Sequence, residues 1–220
     1  MKTKLNLFWF RRDLRLIDNH GLYEALQSEL PVLPIFIFDT EILNQLENKE
    51  DKRVDFIFQA LEKLNEYLEK QGKSIQFFYG KPLEIYENLS QQYEIGNVFC
   101  NEDYEPYAIK RDQDIKDFLA SKNINFYQFK DQVIFQKDEI VKADGKPYTV
   151  YTPYSKQWLL KFNDQNLEFF ASDKKLENLL NIEKQNITLE NIGFKKTNYL
   201  FETPKINLEI LEKYQETRDF

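Results

Sequence analysis

The sequence contains few of the residues on which metal centres, catalytic triads and phosphate loops depend. Its 220 residues include one histidine, His20, and one cysteine, Cys100. There are six glycines, and the first of them is Gly21. A single histidine argues against a histidine-rich metal site and against a histidine-based triad. No Walker loop, CxxC pair or Gly-x-Ser-x-Gly turn occurs. We therefore predict a binding domain with no catalytic residue and no metal site.

The lone cysteine and the absence of long hydrophobic runs bear on the compartment. Cys100 cannot form an internal disulfide, which favours a reducing compartment. The apolar run of MKTKLNLFWF is too short, and too soon followed by two arginines, for a signal peptide. No run approaches the length of a membrane span. We expect a cytoplasmic protein without a membrane partner.

Acidic residues outnumber basic residues in this sequence. The chain has 30 Lys and Arg against 37 Asp and Glu, which gives a net charge of −7. A surface of that sign repels the phosphate backbone, so we do not expect the whole surface to bind DNA, although a local basic groove remains possible.

Short apolar runs alternate with amphipathic segments, which is typical of a parallel sheet with helices on both faces. The fold class predicted is α/β, with a Rossmann-like, doubly wound five-stranded parallel sheet. The predicted strands are 5–10, 32–38, 74–79, 97–100 and 124–129, and the predicted helices begin near Asn19 or cover 53–71, 83–93 and 106–121.

The alternation weakens toward the end of the chain. Residues 1–130 form the predicted core, and 131–165 are assigned to the end of the α/β domain. Residues 166–203 are polar and longer than an ordinary loop, so we predict a connector. A last helical pattern, at 205–218, carries Ile206, Ile210, Leu211 and Tyr214.

Polar and charged residues follow four of the predicted strands. In an open parallel sheet, ligands bind beyond the carboxyl ends of the strands. Charges also collect wherever strands emerge into water, and topology alone does not separate these two interpretations. The residues concerned are Arg11, Arg12 and Asp13, then Asp39, then Gly80 and Lys81, and finally 101–105.

Arg111 shares one helical face with the apolar Ala108, Ile115 and Leu119. An arginine on such a face needs a carboxylate partner, and we expect Asp13, Asp39 or Asp103 to provide it. From the residues alone, a purely structural ion pair is favoured over a ligand-binding role.

Three segments, WFRRDLRLIDN (9–19), DYEPYAIKRD (103–112) and GKPYTVYTPYSKQW (145–158), resemble the photolyase/cryptochrome family. FIFDTEIL (36–43) and KRVDFI (52–57) extend the resemblance, which covers nearly the whole chain. It implies the N-terminal α/β domain of a deoxyribodipyrimidine photolyase, a carbon–carbon lyase that splits pyrimidine dimers by light-driven electron transfer from FAD. Residues 166–203 would then be the interdomain connector, and 204–220 the first helix leading to the FAD-binding helical domain.

The resemblance also implies that this domain holds a second, antenna chromophore. Folate-type members carry an Asn-Glu pair where this chain has Tyr107 and Ala108. A deazaflavin or flavin antenna, or none, is therefore expected in preference to a folate. The pocket residues implied by the family motifs are Arg12, Asp13, Phe38, Asp39, Arg53, Asp103, Glu105 and Arg111.

Two other functions are kept as alternatives. One is a cryptochrome-type blue-light receptor without repair activity. The other is a stand-alone nucleotide-binding module, which the missing glycine-rich phosphate loop disfavours. Under the photolyase hypothesis the partners are the protein's own C-terminal helical domain and damaged DNA, bound mainly by that helical domain. The 220-residue chain alone is expected to be inactive in repair.

Overall fold

The computed structural model describes residues 2–201 and 205–218. Its centre is a sheet of five parallel strands, β1 (Lys4–Phe10), β2 (Val32–Asp39), β3 (Gln76–Gly80), β4 (Glu94–Asn101) and β5 (Asn125–Phe129). The strand order is β3-β2-β1-β4-β5, so the chain extends the sheet on one side of β1 and then returns to extend it on the other. The predicted doubly wound α/β fold is confirmed.

The central strands form because they are continuous apolar runs that helices cover on both faces. Every residue of β2 is buried, as is every residue of β1 after Lys4. At the centre of the sheet, Phe8 of β1 lies in register with Pro34 of β2 and Phe99 of β4.

Most helices begin where local sequence signals predict. The Asn19 side chain caps the first helix by accepting a hydrogen bond from the Leu22 amide. Pro82 and Pro106 each lie in a first helical turn, where the missing N–H costs no hydrogen bond. The helices are α1 (His20–Leu26), α2 (Thr40–Leu43), α3 (Lys52–Glu69), α4 (Pro82–Gln92), α5 (Pro106–Ser121), α6 (Tyr151–Asn163), α7 (Leu208–Glu212) and α8 (Tyr214–Thr217).

Two hydrophobic clusters fill the two faces of the sheet. On one face, α1 and α3 pack on Phe8, Phe10 and Phe36. On the other face, side chains from α4 and α5, including Tyr86 and Ile115, pack with Trp9 and Ile35. Because side chains alternate along β1, Trp9 and Arg11 both project toward the α4–α5 side.

Helix α6 is the largest element that sequence reasoning missed. Its N-cap residue, Val150, makes no side-chain cap, and none of its residues is buried. Trp158 stacks on Phe162 at 4.9 Å and meets the edge of Phe135 at 5.4 Å. These ring contacts stabilise α6, which has neither an N-terminal side-chain cap nor a buried apolar face.

The described part of the predicted connector, residues 166–201, packs most of its apolar side chains on the α1–α3 face. Leu180 and Ile182 pack against the cluster on the other face, and the Leu180 amide donates a hydrogen bond to the Val32 carbonyl at 2.8 Å. Residues 202 and 203 lie outside the described ranges. Lys73, which is 6% exposed, donates from Nζ to the carbonyls of Glu177 and Leu179 and to Asn181. The buried connector residues are Ser172, Leu176, Leu179, Leu189, Ile192 and Phe194.

Two short helices, α7 and α8, occupy the last described stretch, where a single helical pattern is predicted. Ile206, Leu208 and Ile210 are 60% exposed or more. Assignment of 204–220 to the start of a second domain stays a prediction, and residues 204, 219 and 220 lie outside the described ranges. None of the helices in the described ranges has the length and apolarity that crossing a membrane requires.

Candidate functional site

The turn after β1 is held by side chains instead of by glycines. Asp13, 8% exposed, accepts a hydrogen bond from the Arg11 amide at 2.8 Å. Its other carboxylate oxygen accepts from the side-chain amides of Asn19 at 3.1 Å and Asn101 at 2.6 Å. This network joins the end of β1, the start of α1 and the end of β4.

Gly21, the first glycine of the chain, lets α1 approach β4 closely. A Cβ at this position would lie 2.7 Å from Asn101 Oδ1 and 3.1 Å from the backbone of Cys100. The glycine therefore serves helix–sheet packing, while no glycine shapes the preceding turn.

Arg11 and Asp112 form a buried ion pair between β1 and α5. The distance from Nη1 to Oδ2 is 2.6 Å, and the two side chains are 7% and 5% exposed. The other guanidinium terminus donates to the Asn101 carbonyl, while Nε has no acceptor among the described residues. Burial lowers the pKa of Arg11, but Cys100, Asp112 and Asp13 together raise it above its usual value. Because burial also raises the pKa of Cys100 to about 12, that thiol is neutral at physiological pH, and the carboxylates hold the arginine charged.

Arg111 lies beside the same carboxylate. It donates from Nη2 to Asp112 Oδ1 at 2.9 Å and stands 3.9 Å from Asp39 Oδ2. Its guanidinium also lies 4.6 Å from the centroid of the Trp9 ring. Of the three predicted partners, only Asp39 pairs with Arg111 among the described residues. The shortest ion pair of Arg111 is with its sequence neighbour Asp112.

Asp39 connects β2 to α2 and α5. It caps α2 by accepting from the Glu41 amide at 3.0 Å, and it accepts from the Tyr107 hydroxyl at 2.6 Å. Burial raises the pKa of Asp39, and the Tyr107 hydrogen bond, the Glu41 amide and Arg111 only partly offset that rise.

An apolar cavity of about 360 Å³ opens at this edge of the sheet, beyond the ends of β1 and β2 and beside the start of α5. Polar side chains, including Asp39 and Arg111, form only a small part of the cavity wall, as is typical of small-molecule sites. The apolar lining consists of Trp9, Phe10, Phe36, Ile37, Phe38, Ile42, Leu43, Val54, Ile57 and Ala108.

A second cavity, of about 310 Å³, is polar and lies where the sheet order reverses, between the ends of β1, β4 and β5. Arg11, Arg12 and Asp103 line both cavities, so they form a shared wall. In that wall Arg12 Nε donates to Asp103 Oδ2 at 3.1 Å. The remaining lining residues of the polar cavity are Asp13, Arg15, Asn101, Glu102, Asp131 and Gln132.

Seven of the eight predicted pocket residues line these cavities. Asp13 lines the polar cavity, and Arg12 and Asp103 line both. Phe38, Asp39, Glu105 and Arg111 line the apolar cavity. Arg53 lines neither: its side chain pairs with Asp51 at 2.6 Å and is 74% exposed.

Sequence reasoning missed three contributors to the site: Trp9, Tyr107 as a cavity residue, and Asp112. It placed Arg11 at the end of the first strand but did not identify Asp112 as its partner. One signal was available, because Trp9 and Arg11 alternate along a strand and so share a face. The pairing of Arg11 with Asp112 joins residues 101 positions apart, and no local pattern indicates it.

The comparisons with known proteins agree with this fold. The family model for DNA photolyase matches residues 6–173. The deoxyribodipyrimidine photo-lyase of Synechococcus is 34% identical over 152 residues, which cover 69% of this chain and 31% of that protein. A class III photolyase structure from Agrobacterium tumefaciens has a TM-score of 0.74 and 25% identity, over 90% of this chain and 40% of that one. The archaeal photolyase of Sulfolobus tokodaii, solved with two FAD molecules, shares the fold with a TM-score of 0.60 and 22% identity, over 84% of this chain and 43% of that one.

Proposed function

The chain belongs to the DNA photolyase family, and on this premise we propose that its apolar cavity holds an antenna chromophore for a light-dependent repair enzyme. The chain spans about a third of the length of the Synechococcus photolyase. The full-length protein would bind FAD in a helical domain and use light to split pyrimidine dimers in DNA, with this domain supplying captured excitation. The FAD cofactor would carry out the redox step, and the residues of this domain would bind and orient the antenna chromophore.

The apolar cavity carries the proposal. Its volume of about 360 Å³ falls within the roughly 300–1,000 Å³ of small-molecule sites. Aromatic and aliphatic side chains provide surfaces for a planar ring, and Asp39 and Arg111 offer an acceptor and donors at its edge. Excluding water from such a ring favours binding through buried apolar area.

A deazaflavin or flavin fits this cavity better than a folate. Ala108 is 2% exposed in the cavity wall and has no carboxylate to bond a pterin ring. The Tyr107 hydroxyl is already bonded to Asp39. The Sulfolobus tokodaii photolyase, solved with two FAD molecules, supports a flavin ring as the light-absorbing group of the antenna.

The domain plan follows the same premise. Residues 1–130 are the core of the α/β domain, 131–165 its end, 166–203 the connector, and 204–220 the approach to the helical domain. The exposed apolar residues of α7, Leu208, Ile210 and Leu211, support a role in contacting that domain. The partners are therefore the helical domain and, for the full-length protein, damaged DNA.

The test uses the full-length protein and its absorption spectrum. We expect FAD bands together with a second chromophore, and dimer repair under blue light. Ala108→Phe, which fills the cavity, should remove the second chromophore, retain FAD and lower repair only under limiting light. Ala120→Phe, on the exposed side of the same helix, is the matched control.

Two results contradict the proposal. If Ala108→Phe keeps a full complement of the second chromophore, the antenna does not occupy this cavity. A full-length protein that binds FAD but repairs no UV-damaged DNA would instead be a cryptochrome-type receptor.

A further inference from the structure

We propose that the apolar and polar cavities form one elongated site, selective for a chromophore whose ring bears an uncharged polyhydroxyl chain and against one that ends in a phosphate. The inference rests on the antenna function proposed above and specifies the ligand. The ring occupies the apolar cavity, and its side chain crosses the Arg12–Asp103 wall into the polar cavity. Because Arg12 has a side chain that is 55% exposed, this wall can yield to a ligand more readily than a buried ion pair.

The backbone groups that bind phosphate in comparable folds are already occupied here. In doubly wound sheets, phosphate binds the free amides at the start of the first helix. In α1 those amides donate to side-chain oxygens: His20 N to Asp131 at 3.1 Å, and Gly21 N to Asn101 at 2.8 Å. The Leu22 amide donates to the Asn19 side chain at 3.1 Å.

The amide that opens the turn is also used. Arg11 N donates to Asp13 at 2.8 Å, so the carboxylate of Asp13 takes the place that an anionic ligand would take. The protein's own oxygens therefore fill the phosphate position of the fold, and a phosphorylated ligand finds no free N–H among these groups.

The side-chain charges of the polar cavity lead to the same conclusion. Three guanidiniums line it, against four carboxylates, those of Asp13, Glu102, Asp103 and Asp131. Each guanidinium already has a carboxylate partner: Arg11 with Asp112 at 2.6 Å, Arg12 with Asp103 at 3.1 Å, and Arg15 with Asp131 at 2.7 Å. Arg11 Nε, which has no acceptor among the described residues, is buried, and Glu102 pairs with Lys137 at 2.9 Å. A phosphate monoester, with a charge of about −1.5 to −2, would have to displace a carboxylate or lie beside one.

A polyhydroxyl chain meets no such penalty. Each hydroxyl both donates and accepts, so it can bond to carboxylate oxygens and to guanidinium N–H groups without a net charge of its own. Gln132, exposed in the cavity wall, adds an amide with both capacities. The polar cavity is therefore suited to a ribityl-type chain.

Riboflavin and FMN test the inference, since they differ only in the terminal phosphate. Each is titrated into the 220-residue chain, and binding is followed by flavin fluorescence. We expect riboflavin to bind at least about tenfold more tightly than FMN near neutral pH. Higher salt should narrow that ratio because it screens the repulsion.

Charge-removing variants sharpen the test. Glu102→Gln and Asp103→Asn should each strengthen FMN binding several-fold relative to riboflavin. Glu66→Gln removes the same charge from an exposed position nine residues beyond Ile57 on α3 and should leave the ratio unchanged.

The outcomes separate this inference from the function on which it rests. FMN binding as tightly as riboflavin, or more tightly, overturns the selectivity while leaving the antenna site intact. An unchanged ratio in both Glu102→Gln and Asp103→Asn also overturns it. Failure of both flavins to bind overturns the flavin-type antenna itself, and the selectivity with it.

Discussion

The hydroxyl of Tyr107 donates a hydrogen bond of 2.6 Å to Oδ2 of Asp39, a residue that is 5% exposed. Tyr107 lies in the first turn of α5, and Asp39 ends β2. One hydrogen bond therefore spans the rim of the apolar cavity and joins β2 to α5 through two residues that are 68 positions apart in the sequence.

Tyr107→Phe should lower the free energy of unfolding by about 1–3 kcal/mol at neutral pH, because the bond is made to an ionised group. Burial raises the pKa of Asp39, so its ionised form is the costly one in the folded state. Loss of the hydroxyl raises that pKa further. The deficit should shrink as the pH falls from neutral toward the ordinary aspartate pKa of 3.8, because Asp39, whose pKa is raised above that value, takes up its proton before that pH is reached.

Urea unfolding of both proteins across this pH range measures the effect. Tyr104→Phe, at a residue that is 51% exposed, should leave stability within about 0.5 kcal/mol of the parent. A Tyr107→Phe deficit that stays constant with pH would contradict the role assigned to Asp39.

Arg111→Ala should destabilise the fold by roughly 2–4 kcal/mol. The change leaves Asp39 with Tyr107 and Asp112 with Arg11, and removes a guanidinium packed on Trp9. Denaturant titration measures the loss, with the neighbouring, exposed Lys110→Ala as control. A change near zero would mean that the ion pair and ring contact of Arg111 contribute nothing to stability.

Lys73→Met should loosen the connector selectively. Its ammonium donates to two connector carbonyls and to Asn181, and a methionine cannot replace those bonds. Limited proteolysis should then cut within 177–182 faster than in the parent, while amide exchange in β1 and β2 changes little. The control variant Lys70→Met, at an exposed position three residues away, should be cleaved at the parental rate. Equal cleavage rates for all three proteins would mean that the Lys73 hydrogen bonds do not hold the connector in place.

Cys100 should resist thiol reagents in the native protein. Its side chain is 0% exposed, and burial raises its pKa to about 12, so almost no thiolate forms near pH 8. A chromogenic disulfide reagent should label one thiol per chain in denaturant, and should label the folded protein only at the rate of unfolding. Rapid native labelling would show that the β4 end opens locally.

Local pattern was sufficient to locate the sheet. The strands were predictable because each is a short apolar run bounded by charged or turn residues, and Asn19 and Pro106 marked helix starts by their own backbone chemistry. Helix α6 was missed because its stabilising contacts are rings, such as Trp158 on Phe162, and not a cap or a buried stripe.

The site was only partly predictable for a related reason. Convergence of Arg12, Asp39 and Asp103 followed from topology, because the carboxyl ends of parallel strands meet at one edge. The pairing of Arg11 with Asp112 depends on where α5 returns over the sheet, and adjacent sequence does not contain that distance. Arg53, at a helix start near the same edge, forms its ion pair with Asp51 two residues away and reaches no cavity.

Trp9 lies in the wall of the apolar cavity, 2% exposed, within 4.9 Å of the Arg11 guanidinium and 4.6 Å of that of Arg111. It is one of two tryptophans in the chain. Indole emission overlaps flavin absorption, so quenching of Trp9 fluorescence would report whether the proposed antenna chromophore is bound in the apolar cavity. With Trp158→Phe silencing the second emitter, loading could be followed in real time without any label.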